Sequence, residues 1–112
     1  MLFKIKKKND EFLLIIYKKD LSVDLSKILT APSSDIKEYL LVNHTDTAEE
    51  HYHIYLKFNK KITRDELREL FYKSKIFISN VSSDTTILGI LYYFTDGFRL
   101  SFESNYSINY KK

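Results

Sequence analysis

Polar and apolar positions alternate most regularly in HYHIYLKF, residues 51–58. Successive side chains of a strand point to opposite faces. Tyr52, Ile54, Leu56 and Phe58 therefore share one predicted face, and His51, His53, Tyr55 and Lys57 the other. Leu2 to Lys6 alternates over a shorter stretch. Glu11 to Tyr17 contains the unbroken apolar run FLLIIY, which reads as a strand buried on both faces. Tyr39 to Asn43 (YLLVN) reads as a second central strand. Only the short polar loop His44 to Glu50 separates it from residues 51–58, so the two are expected to pair as an antiparallel hairpin. Ile76 to Ser79 is a further strand, and Phe98, Leu100 and Phe102 alternate as a final one.

Three segments carry helical spacing instead. Leu25, Ile28 and Leu29 line one side of a short helix from Ser22 to Leu29, which Pro32-Ser33-Ser34 breaks. Thr63-Arg64-Asp65-Glu66 is a capping box, and Leu67, Leu70 and Phe71 mark the buried stripe of a helix running to about Tyr72. Ser83 or Asp84 caps a third helix that runs to about Thr95, with Gly97 just past its end. The order β, α, β, β, α, β, α, β predicts an α+β fold. Its antiparallel sheet has about five strands, with helices packed on one face in the split β-α-β (ferredoxin-like) manner. The histidine face is then open to solvent, and the helices cover the face of Ile54, Leu56 and Phe58.

A chain of 112 residues is one domain with a single modest core. It has no cysteine, so any metal must be held by nitrogen and oxygen. The net charge of +3 is a weak excess, but the lysines come in blocks: Lys4 with Lys6, Lys7 and Lys8, then Lys18-Lys19, Lys60-Lys61 and Lys111-Lys112. Such blocks suit a phosphate backbone, although lysines on a solvated surface look the same. No apolar run approaches the ~20 residues of a membrane span, and the start has no signal-like hydrophobic region. These features predict a soluble, cytoplasmic protein with no membrane partner.

All three histidines, His44, His51 and His53, fall within ten residues, and Asp46, Glu49 and Glu50 lie between them. Two imidazoles side by side on one sheet face form half of a divalent-metal site. Mn²⁺ or Mg²⁺ also wants oxygen ligands. The alternative reading is a polar loop beside half-exposed strand histidines. Nine tyrosines supply phenols, poor nucleophiles at an ordinary pKa of ~10 unless they meet an activated electrophile. A phenol bound to phosphorus remains a usable leaving group, which suits breaking and rejoining a nucleic-acid strand.

HYHIYLKF resembles the His-hydrophobic-His motif of the HUH endonucleases, in particular rolling-circle replication initiators of small plasmids and viruses. LVNHTD, residues 41–46, is similar to the first motif of the plasmid initiators, and Tyr93-Phe94-Thr95-Asp96 to their tyrosine helix. The likeness covers about Glu38 to Gly97. It implies His51 and His53 as ligands of Mn²⁺ or Mg²⁺, His44 as a third, and Asp46 as the carboxylate. It implies Tyr93 as the nucleophile, forming a 5′-phosphotyrosine and freeing a 3′-OH, with Tyr92 as the alternative. Helical periodicity does not choose between them, because they flank opposite sides of the stripe Ile87, Ile90, Leu91 and Phe94. Many relatives carry a lysine three or four residues after the nucleophile, where this chain has Asp96 and Gly97. Lys73, Lys75 or Arg99 are the substitutes for it, and Lys57, Lys60 and Lys61 are further DNA contacts. The implied partner is single-stranded DNA at an origin or genome terminus. Helicase and polymerase are supplied separately, and a homodimer is compatible. Two rival readings stand beside this one: a sheet-based nucleic-acid-binding module without catalysis, and a single-tyrosine transposase-like strand transferase.

Overall fold

The computed structural model describes residues 7–44, 49–72 and 74–81, together with 86, 89, 90 and 92; of His44 it describes the backbone. The chain runs β1 (Asn9–Tyr17), α1 (Leu25–Thr30), β2 (Ile36–His44), β3 (His51–Ile62), α2 (Arg64–Leu70) and β4 (Phe77–Asn80). The strands form one sheet in the order β2-β3-β1-β4, with every neighbouring pair antiparallel. Each helix thus carries the chain across an intervening strand: α1 past β3, and α2 past β1. This is the expected α+β split β-α-β arrangement. The described residues form four strands rather than about five, and the stretches expected as strands at 2–6 and 98–102 lie outside them.

β1 is central because its apolar run can be buried on both sides. Phe12, Leu14 and Ile16 are buried completely, facing Leu25 and Leu29 of α1 and Leu67 and Phe71 at α2. Ile54, Leu56 and Phe58 complete this main core, and the Phe12 and Phe58 rings meet edge to face at 6.0 Å. Each such side chain contributes roughly 1.5–3 kcal/mol by leaving water. The opposite face is not bare, in contrast to the open face expected. Leu40, Val42 and Tyr55 are buried there with Ile90, a residue of the third helical segment. Alternation identifies which side chains share a face, but not whether a distant segment returns to cover it.

Local chemistry sets the element ends. Glu66 N donates to Thr63 Oγ1, and Thr63 N donates to Glu66 Oε1, both at 3.1 Å, so the capping box forms as read. α2 ends early because Tyr72 adopts φ 51°, a left-handed conformation that stops the helix. α1 starts at Leu25 rather than Ser22: Asp24 caps it by accepting from Ser26 N at 3.0 Å. Ser22 instead binds Ser74 through its backbone N–H, at 2.9 Å, and through its hydroxyl. β3 runs past Phe58 to Ile62, since Ile62 still pairs with Asn9 and Asn59 N donates to Asp35 O. The polar Asn59-Lys60-Lys61 hides this extension from a reading by alternation. Among the described residues, no helix is long and apolar enough to cross a membrane.

Candidate functional site

Strand register lays out the histidine face as rows. His44, His51 and Tyr17 occupy the first; Val42, His53, Ile15 and Phe77 the second; Leu40, Tyr55, Leu13 and Ser79 the third; Glu38, Lys57 and Glu11 the fourth. The hydrophobic third row separates a histidine end from a carboxylate end.

At the histidine end the His51 and His53 rings lie 5.0 Å apart and are tilted by 55°. Two imidazoles sharing one ion, each nitrogen about 2.1 Å from it, have centres roughly 5 Å apart, so this spacing fits a shared ion. His51 Nδ1 lies 2.9 Å from the carbonyl oxygen of Glu49. A carbonyl only accepts, so Nδ1 carries the proton and, in the neutral ring, Nε2 carries the lone pair. That is the usual way a backbone carbonyl orients a ligand histidine. His53 is held between Val42 and Ile15 by register. Register also places His44 opposite His51. Among the described residues no group of three or more His, Cys, Asp or Glu side chains gathers as a metal site. Asp46 lies outside the described residues.

The loop carboxylates have partners of another kind. Lys18 Nζ bridges to Glu50 and Lys19 Nζ to Glu49, each at 2.9 Å. Lys18 Nζ also sits 5.1 Å from the centre of the Tyr52 ring. These contacts, with the Lys18 N–H donating to Glu50 O at 3.0 Å, clamp the start of β3 to the turn after β1. They place the Glu49 carbonyl where His51 meets it.

Two aromatic residues missed by the sequence reading complete this end. The Tyr17 ring lies 5.4 Å from His51 and 6.0 Å from Phe77, the latter edge to face. Lys75 Nζ lies 5.6 Å from the centre of the Phe77 ring. Nothing local marks Tyr17 or Phe77; only the pairing of β1 with both β3 and β4 brings them beside His51.

The remaining expected contacts are dispersed. Lys57 lies opposite both Glu11 and Glu38 in the register of the sheet. Lys60 pairs with Asp35 at 3.3 Å, and it stands seven residues beyond His53, about 23 Å along the strand. Lys61 is exposed beside it. Tyr55 donates to Glu11 Oε2 at 2.8 Å. Burial, then that bond and the Glu11 charge, push its phenol well above the usual tyrosine range, so it stays protonated. Tyr92 is helical and exposed, two residues beyond the buried Ile90 and thus about 200° around the helix from it. Tyr93, Lys73 and Arg99 lie outside the described residues.

No protein-family model matches the chain, and no curated protein matches it.

Proposed function

We propose that this protein nicks and rejoins single-stranded DNA in a divalent-metal-dependent reaction, as the HUH endonucleases it resembles do, to initiate replication of a small plasmid or viral genome. One observation carries the reading. The two imidazoles lie side by side on the sheet face onto which Ile90 packs, and Ile90 precedes the paired tyrosines by a single residue, Leu91. Val42 links the two features, lying opposite His53 and in one cluster with Ile90.

In this reading His51 and His53 hold Mn²⁺ or Mg²⁺, with His44 and Asp46 as the further donors. The bound ion would withdraw charge from a non-bridging phosphate oxygen. Tyr93 attacks the phosphorus in line; its O–P bond forms as the bond to the 3′ oxygen breaks, and that oxygen leaves as a 3′-OH. The product is a 5′-phosphotyrosine, and attack by a 3′-OH reverses it. The exposed Tyr92, turned away from Ile90, is the less favoured nucleophile. Lys75, which stands over the Phe77 ring, takes the phosphate-contact role ahead of Lys57, which lies opposite the carboxylate-bearing Glu11 and Glu38. Helicase and polymerase activities come from other proteins.

The test uses a randomised pool of labelled single-stranded DNA with Mn²⁺. Wild type is expected to form a denaturant-resistant adduct that Tyr93→Phe, EDTA and His51→Ala each abolish, while Tyr92→Phe keeps it. The reverse result for the two tyrosines transfers the role to Tyr92. A binding module without catalysis is the second reading, favoured by the aromatic pair Tyr17 and Phe77; it predicts retention of DNA in EDTA and no adduct from any variant.

A further inference from the structure

Phe77 is 47 % exposed on β4, a four-residue strand that lies at the edge of the sheet among the described residues. Among the described residues, neither it nor Tyr17 belongs to either hydrophobic cluster; Ile78, its neighbour on the other face, packs against the main core instead. The two rings touch each other and continue into the imidazole pair, giving an unbroken line of rings across β4, β1 and β3: Phe77, Tyr17, His51, His53. The exposed Lys75 stands over the outermost ring. An exposed ring in such a line, with an exposed cation at its end, matches the two halves of a nucleotide: a flat base and a charged phosphate.

We propose that Phe77, braced by Tyr17, is a stacking platform for an unpaired nucleobase beside the histidine pair, and that Lys75 takes the adjoining phosphate. This rests on the nucleic-acid reading above and adds to it where the strand lies: it enters over the β4 edge. An exposed cation–π contact is weak compared with base–aromatic stacking, so an incoming base displaces the Lys75 ammonium from the ring. The released ammonium then reaches the backbone. Stacking requires an open base face, which a duplex does not present, so the platform selects single strands without reading their sequence.

Fluorescence anisotropy in EDTA tests this apart from metal and chemistry. The probes are a labelled oligothymidylate and an abasic strand of equal length and charge. Phe77→Leu is expected to weaken oligothymidylate binding about tenfold and to leave abasic-strand binding unchanged, while Phe77→Trp retains or tightens the former. The platform is overturned if Phe77→Leu binds both strands as wild type does, or loses equally on both; the nucleic-acid reading then still stands. If wild type binds neither probe, that reading falls, and the platform with it. Because the side chain is exposed, thermal melts of the variants should overlay wild type, and a collapsed melt for Phe77→Leu contradicts the assignment of Phe77 to the surface.

Discussion

Tyr55 and His51 stand on one face of one strand, yet their surroundings give them opposite chemistry. Tyr55 is buried, and its hydroxyl donates to Glu11 Oε2, so the folded protein favours the protonated phenol. A pKa raised on folding contributes stability below the unfolded tyrosine value of about 10, and that contribution is lost as pH climbs beyond it. Denaturant titrations are therefore expected to show stability falling above pH ~10, with a shallower fall in Tyr55→Phe. At neutral pH the same substitution removes one hydrogen bond to a carboxylate, about 1.5–3 kcal/mol at most. An equally steep alkaline decline in Tyr55→Phe assigns the effect to other groups. His51 was legible as a ligand candidate from its spacing to His53. The carbonyl that orients it was not, because Glu49 reaches it only through the clamp of Lys18 and Lys19 on the loop.

Short-range rules were most reliable where a backbone end needed a partner. The capping box of α2 is such a case: both reciprocal bonds form. Accepting the Thr63 backbone N–H also holds the Glu66 carboxyl below its usual range. Thr63→Ala is expected to lower the unfolding free energy by about 1–2 kcal/mol, read as a shift in urea midpoint at unchanged slope; no shift means that α2 is held by Leu67 and Phe71 alone. The start of α1 was displaced by three residues because Ser22 and Asp24 both suit a cap. The competing bond from Ser22 to Ser74, 52 residues away, is invisible to local pattern. The end of β3 was misjudged for a related reason. Its polar Asn59-Lys60-Lys61 looks like a turn, but the pairing of Ile62 with Asn9 and the bond from Asn59 to Asp35 keep the segment extended.

The sheet and its connections together bring the chemistry to one place. β2, β3, β1 and β4 contribute His44, His51 and His53, Tyr17 and Phe77 to adjacent register positions, while the main core packs under the other face. If the imidazoles hold an ion, binding to the folded state alone stabilises it, by about 2.7 kcal/mol at a hundredfold excess over Kd. Saturating Mn²⁺ is thus expected to raise the Tm of wild type but not of His51→Ala/His53→Ala; equal shifts in both place the ion elsewhere. The types of the described elements, the two faces of β3, the pairing of β2 with β3 and the capping box were readable from the chain, because alternation, helical spacing and end-capping act over a few residues. Strand order, the aromatic line beside His51, the register that sets Lys57 opposite two glutamates and the return of Ile90 over the second face arose only on folding. Those contacts join residues tens of positions apart, and no periodicity within a single segment encodes which neighbour it will meet.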